Sequence, residues 1–253
     1  MKYCQRFALL FALVMAASGV VFGQNNIASI PVPTGYQRVP VAANSYAEYL
    51  QQLPLKPSHS IDLWNGDVLS DDAYEILAVV DVPLLFKQDL EQCADFAMRF
   101  WAEYLNHNDA LSELSLYDFN GRKKSFTTSQ KTFREYLKWH MAYSNSYSIK
   151  RGGAKVHMLS ELESGDMIVQ NNGQGGIGHV SVVVDEAASD SGLKVFLVGY
   201  SYMPAQQFHI EQASDEFGAS GWFTAEGYMR YAQRVFGTFG KPVIRRFERV
   251  RAD

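Results

Sequence analysis

Three apolar runs stand close together in the second half of the chain: "GDMIVQ" (165–170), "GHVSVVVDE" (178–186) and "LKVFLVGYS" (193–201). Each is short and rich in β-branched residues, as a strand is. The segments between them, "NNGQGGI" and "AASDSG", are turn material. Strands joined by such linkers predict an antiparallel sheet. "AQQFHI" (205–210) is a candidate extension of it, and "KPVIRRFERV" (241–250) a last strand.

The clearest helix is "DLEQCADFAMRFWAEYLNH" (89–107). Asp89 is placed to cap it, with Gln92 at the capping-box position. Cys93, Phe96, Ala97 and Phe100 follow helical spacing, so Cys93 falls one turn inside the helix on an apolar face. "SYAEYLQQLPL" predicts a short helix with Ser45 as N-cap, and "SQKTFREYLKWHMAYSN" and "TAEGYMRYAQRVFG" predict two more. Asn65-Gly66 marks a hairpin turn, "AYEILAVVDV" a strand, and 107–130 a polar stretch. Helices first and a sheet after them is an α+β pattern.

The amino terminus is set apart from this core. "MKYCQRFALLFALVMAASGVVFG" carries Lys2 and Arg6, then an uncharged apolar run and a small-residue end. That predicts a signal peptide over 1–23, with a retained anchor as the alternative. The protein is then expected outside the cytoplasm, periplasmic or secreted, without an integral membrane anchor. Residues 24–45, rich in Pro, Asn and Ser, predict an extended lead-in, and 46–253 a single α+β domain. Removing 1–23 moves the net charge from −4 to −6. A mildly acidic body without a basic run predicts no nucleic-acid partner.

Of the 2 cysteines, Cys4 lies before the apolar run, so the mature chain keeps Cys93 alone. A single thiol in an oxidising space is either a small buried hydrophobe or a nucleophile. A helix amino terminus favours the thiolate, and an imidazole within hydrogen-bond reach would complete an activated nucleophile. His179 opens the "GHVSVVVDE" strand behind a Gly-rich stretch that lets backbone pass close to a cleft. A lone histidine there is either structural or the base for Cys93. Cys93, His157, His179 and His209 show no paired-ligand spacing, so no metal and no cofactor are expected.

"LEQCADFAMRFW" followed by "SGDMIVQNNGQGGIGHVSVVVDE" resembles the NlpC/P60 and CHAP group of papain-like cysteine hydrolases. The match falls on Gln92, Cys93, Gly165, Asp166, Gly178, His179 and Val180. "LEQCAD", "MRFWAEYL" and "SYMPAQ" resemble the bacterial DUF4846 family of exported proteins over roughly residues 40–225. The hydrolase resemblance implies a papain-like fold, with a Cys-bearing helix on an antiparallel sheet. It implies Cys93 as nucleophile, His179 as base, and a third polar residue on or after the strand that follows the histidine strand. Where related sequences are expected to place Gln before "SYMPAQ", this chain has Tyr200, so that role falls to Ser201, Tyr200 or Gln206, with Tyr200 also a candidate oxyanion or substrate-binding residue. Gln92 is either a capping residue or an oxyanion donor. Trp222, in "GASGWF", is either core or a cleft wall. Asp166, His140 and His209 have ordinary structural readings.

By analogy with that group, an exported bacterial enzyme of this kind acts on amide bonds in peptidoglycan peptides. Two alternatives stand beside it. One keeps the fold and takes lipid-type amides, esters or thioesters as a hydrolase or acyltransferase. The other is a non-catalytic envelope binding protein.

Overall fold

The computed structural model describes residues 25–69 and 74–249. The expected signal peptide and Cys4 lie outside the described residues. The fold is α+β, with a large antiparallel sheet and few helices. Ten of the described strands form that sheet: β1 (Tyr36–Arg38), β2 (Ile76–Val79), β3 (Ala154–Val156), β4 (Met167–Gln170), β5 (His179–Ser189), β6 (Lys194–Tyr200), β7 (His209–Glu211), β8 (Gly218–Ala219), β9 (Trp222–Thr224) and β10 (Val243–Arg246). The helices are α1 (Tyr46–Gln51), α2 (Cys93–His107), α3 (Phe133–Tyr143), α4 (Ser146–Gly152) and α5 (Ala225–Phe236).

The main strand order is β8-β9-β6-β5-β4-β10-β3. β5 is the spine. Its first residues pair with β4 (Gln170 with His179, Met167 with Val182), and its last residues pair with β1. β6 runs along its other edge, and β7 joins the end of β6 to β2.

Alternation along β5 decides which layer each side chain meets. Val180, Val182 and Val184 pack with Phe96, Ala97 and Leu50, on the face covered by α1 and α2. Val183 packs with Phe196, Tyr228 and Ala232, on the face covered by α5. Ser181 shares that second face, where its hydroxyl is 2.5 Å from the Tyr228 hydroxyl. The sheet is thus buried on both sides, which is why β5 reads as a nearly unbroken apolar run.

The chain departs from its expected layout in three places. Residues 24–45 are not merely a lead-in, because β1 within them pairs with β5. Arg38 of β1 also donates to the buried Asp185 carboxylate at 2.7 Å, and Gln51 donates to its other oxygen at 2.7 Å. The sheet draws on both halves of the chain, since β2 enters it through β7. The polar stretch 107–130 holds a two-stranded hairpin of Ser115–Tyr117 and Lys123–Ser125. No helix among the described residues is long and apolar enough to cross a membrane.

Candidate functional site

Cys93 is the first residue of α2. The helix starts later than the Asp89 cap predicted. Asp89 instead accepts the Ala205 N–H at 2.6 Å and the Gln92 side-chain amide at 3.1 Å, tying the approach to the helix onto the loop after β6. Gln92 takes the N-cap position in extended conformation. Its N–H donates to the Asp95 carboxylate at 3.0 Å, the half of a capping box that the side-chain hydrogen bonds support. The thiol therefore sits where helix N–H groups are free.

That position alone would lower a thiol pKa, but here the opposite holds. Cys93 is 7% exposed, and burial pushes its thiol up to about 12. The N–H groups of Val180, Ala94 and Cys93 pull the other way, while the neighbouring Asp95 carboxylate adds to the rise. Loss of hydration outweighs the helix terminus, so the resting sulfur is a neutral thiol.

Cys93 lines a pocket of about 460 Å³ together with Gln92, Met141, Asn145, Gly178 and Met203. Gly178 explains the glycine before the histidine. A Cβ there would lie 2.2 Å from the Gln170 carbonyl oxygen and 2.3 Å from the Ser146 hydroxyl. Gly175, also on the wall, has φ +77°, a conformation that favours glycine.

His179 is 1% exposed and lies on the α5 face of β5. Its ring stacks on Phe236 with centroids 3.8 Å apart, and Tyr200 meets it edge-on at 4.9 Å. Gln170, its cross-strand partner, reaches the carbonyls of Ala232, Phe236 and Gly240 and so fixes the end of α5 against the ring. Among the described residues neither ring nitrogen has a hydrogen-bond partner. Burial drives the imidazole pKa down to about 3, with His209 adding to the fall. The structure thus places Cys93 and His179 in different layers, with no hydrogen bond between them. Val180, the residue after His179, packs into the layer that carries Cys93, and its N–H favours the thiolate.

The model of a family described as a domain of unknown function matches residues 27–128 and 117–239. The chain belongs to the DUF4846 family. No curated protein and no solved structure matches it.

The remaining sequence candidates of this DUF4846 chain are dispersed. Ser201 is buried and donates to the Gln206 carbonyl at 2.8 Å, holding the loop after β6 closed. Gln206 donates to the Tyr74 hydroxyl at 3.0 Å, and its own side-chain oxygen is buried without a partner. Neither touches the His179 ring nitrogens. Tyr200 does pack on His179, but its hydroxyl donates to Glu211 at 2.6 Å. Trp222 is a fully buried residue of β9 rather than a loop residue, and its indole N–H donates to the Pro31 carbonyl at 2.9 Å. Apolar area decides its place, away from the Cys93 pocket.

Asp166 holds Arg246 through contacts of 2.6 and 2.8 Å, and His140 lies 3.0 Å from the Tyr117 carbonyl. Sequence reasoning missed Tyr202, whose ring is 5.7 Å from His179 and whose hydroxyl feels the charge of a Cys93 thiolate. Its signal was "YSYMP", an aromatic residue just beyond the strand that pairs with the histidine strand.

Proposed function

We propose that this DUF4846 protein is an exported thiol hydrolase of papain-like design, acting on amide bonds in peptidoglycan peptides. One observation carries the reading. The described thiol stands at the first residue of a helix on the wall of a pocket, and the residue that opens β5 is a histidine whose buried ring nitrogens have no partner among the described residues. A buried polar group without a partner costs about 1–3 kcal/mol, and such a cost is kept where the group has work to do.

In this reading the resting pair is neutral on both sides. The proton-transfer step requires the opening of β5 to re-pack when substrate fills the pocket, bringing the imidazole off Phe236 and round to the sulfur. His179 then takes the thiol proton as Cys93 attacks the carbonyl carbon. Free N–H groups at the start of α2 receive the oxyanion, with the Gln92 amide at the rim. The tetrahedral intermediate collapses as the leaving amine takes the proton from His179. Water then releases the acyl group from Cys93. Cell-wall peptides enter by analogy with exported hydrolases of this design.

A second reading has its own support. The missing Cys93–His179 hydrogen bond and the raised thiol pKa favour a non-catalytic envelope binding protein.

Acid quenching and mass measurement of the intact chain separate the two. Peptidoglycan fragments, lipid-type esters and acyl thioesters are supplied in parallel. The hydrolase reading expects an acyl adduct on Cys93. An adduct from esters or thioesters alone moves the substrate class to lipid-type acyl groups. No adduct from any of them leaves the binding protein.

A further inference from the structure

A second cavity of about 390 Å³ opens on the α5 face, with a wall of Tyr74, Tyr200, Tyr202, Tyr231 and Phe236. Phe236 is 5.4 Å from Tyr200, 6.0 Å from Tyr202 and 6.2 Å from Tyr231, centroid to centroid. Tyr200 and Tyr74 meet edge-on at 6.0 Å. Glu211 lies in this aromatic wall and is 2% exposed.

The company Glu211 keeps is unusual for a buried carboxylate. Its Oε2 accepts from the Tyr200 hydroxyl at 2.6 Å and lies 3.3 Å from His209 Nε2. The Tyr231 hydroxyl, 3.0 Å from that of Tyr200, also bonds to Glu211. Among the described residues no lysine or arginine pairs with it. Arg234, on α5 near Tyr231, is engaged with Glu216 at 2.8 Å. Exposed Glu75 adds a second carboxylate at the cavity wall. The groups on Glu211 are hydroxyls and a buried imidazole rather than a lysine or arginine, and the faces of tyrosine and phenylalanine rings also attract cations.

The geometry points to a binding site for an organic ammonium group, seated among Tyr74, Tyr202, Tyr231 and Phe236 with Glu211 as its counter-charge. The aromatic rings take the alkyl substituents and the positive charge together. The cavity shares no lining residue with the Cys93 pocket, although Tyr200, Tyr202 and Phe236 of its wall pack on His179, and the test below reads binding alone.

Ligand-observed NMR titration of the mature chain tests this with two pairs of probes. Choline is set against 3,3-dimethyl-1-butanol, and n-butylammonium against 1-butanol. Each cation is expected to bind about tenfold or more tightly than its neutral partner. Preference for choline indicates a headgroup-type ligand, and preference for n-butylammonium a lysine-type side chain. Glu211→Gln should lose about tenfold in cation affinity and leave the alcohols unchanged, whereas Tyr231→Leu should weaken both cations. Equal binding of cations and alcohols to the native chain overturns the site, and that result needs no variant to fold. Unchanged cation affinity in a folded Glu211→Gln chain overturns it as well.

Discussion

His179 stacks on Phe236 with ring centroids 3.8 Å apart and planes 22° apart, while Val180 beside it packs into the opposite layer, which carries Cys93. One peptide unit thus divides the two layers of the protein, with the imidazole on one side and the thiol's layer on the other. The predictions below rest on that division.

The resting thiol should be sluggish. Burial holds Cys93 up at about 12, so its thiolate is scarce at neutral pH. Iodoacetamide labelling of the free protein should be slow at pH 7 and should keep accelerating beyond pH 9. Fast labelling at pH 6 would show a preformed thiolate–imidazolium pair and contradict the resting geometry.

His179→Leu should stabilise the fold. The ring buries two nitrogens without partners, and a leucine of similar volume removes that cost. Denaturant unfolding should show a gain of about 1 kcal/mol. A loss of stability would mean that the stacking on Phe236 outweighs the unmet polar groups.

The same substitution should change the acid limb of stability. His179 falls from an ordinary value near 6.5 to about 3 in the fold. Between those values the unfolded chain binds the proton and the folded chain does not. The native protein therefore loses stability through this group as pH falls from about 6.5 toward 3. The advantage of His179→Leu over the native chain should widen across that window. Parallel stability curves from pH 7 to pH 4 would show that His179 does not titrate this way.

Arg38→Ala should be costly although Arg38 lies in the first described strand. It leaves Asp185, which has no exposed side-chain surface, without its cation. The expected loss is about 3 kcal/mol, read from the urea midpoint, and Arg38→Lys should recover part of it. A negligible loss would mean that β1 is not fastened to β5.

Much of the frame was legible in the sequence because it is local. The β-branched run at 178–186 and the turn residues on either side define β5. Ser45 caps α1 and Thr132 caps α3 by the rules for such residues. The start of α2 was misplaced because Asp89 followed by Gln92 imitates a capping box, whereas Asp89 serves Ala205, 116 positions away. Ser115–Tyr117 hid as a strand because it is only three residues long and its partner, Lys123–Ser125, is polar.

At the site, Cys93 and His179 could be singled out by residue type and order. Alternation puts His179 on the face of Ser181 and Val183, but which helix covers that face is a tertiary fact. The cavity around Glu211 was illegible for the same reason, since Tyr74, Tyr200, Glu211 and Tyr231 meet only after folding.

The proposed chemistry rests on Cys93 as the nucleophile, and replacing it removes little volume. Cys93→Ala should keep the fold to within about 1 kcal/mol. Digestion of peptidoglycan fragments, with products identified by mass, tests the central claim most directly. The native chain should release paired new amine and carboxyl ends, and both Cys93→Ala and His179→Leu should release none while remaining folded. Equal release by the native chain and Cys93→Ala, or no release from any amide, ester or thioester by the native chain, would contradict it.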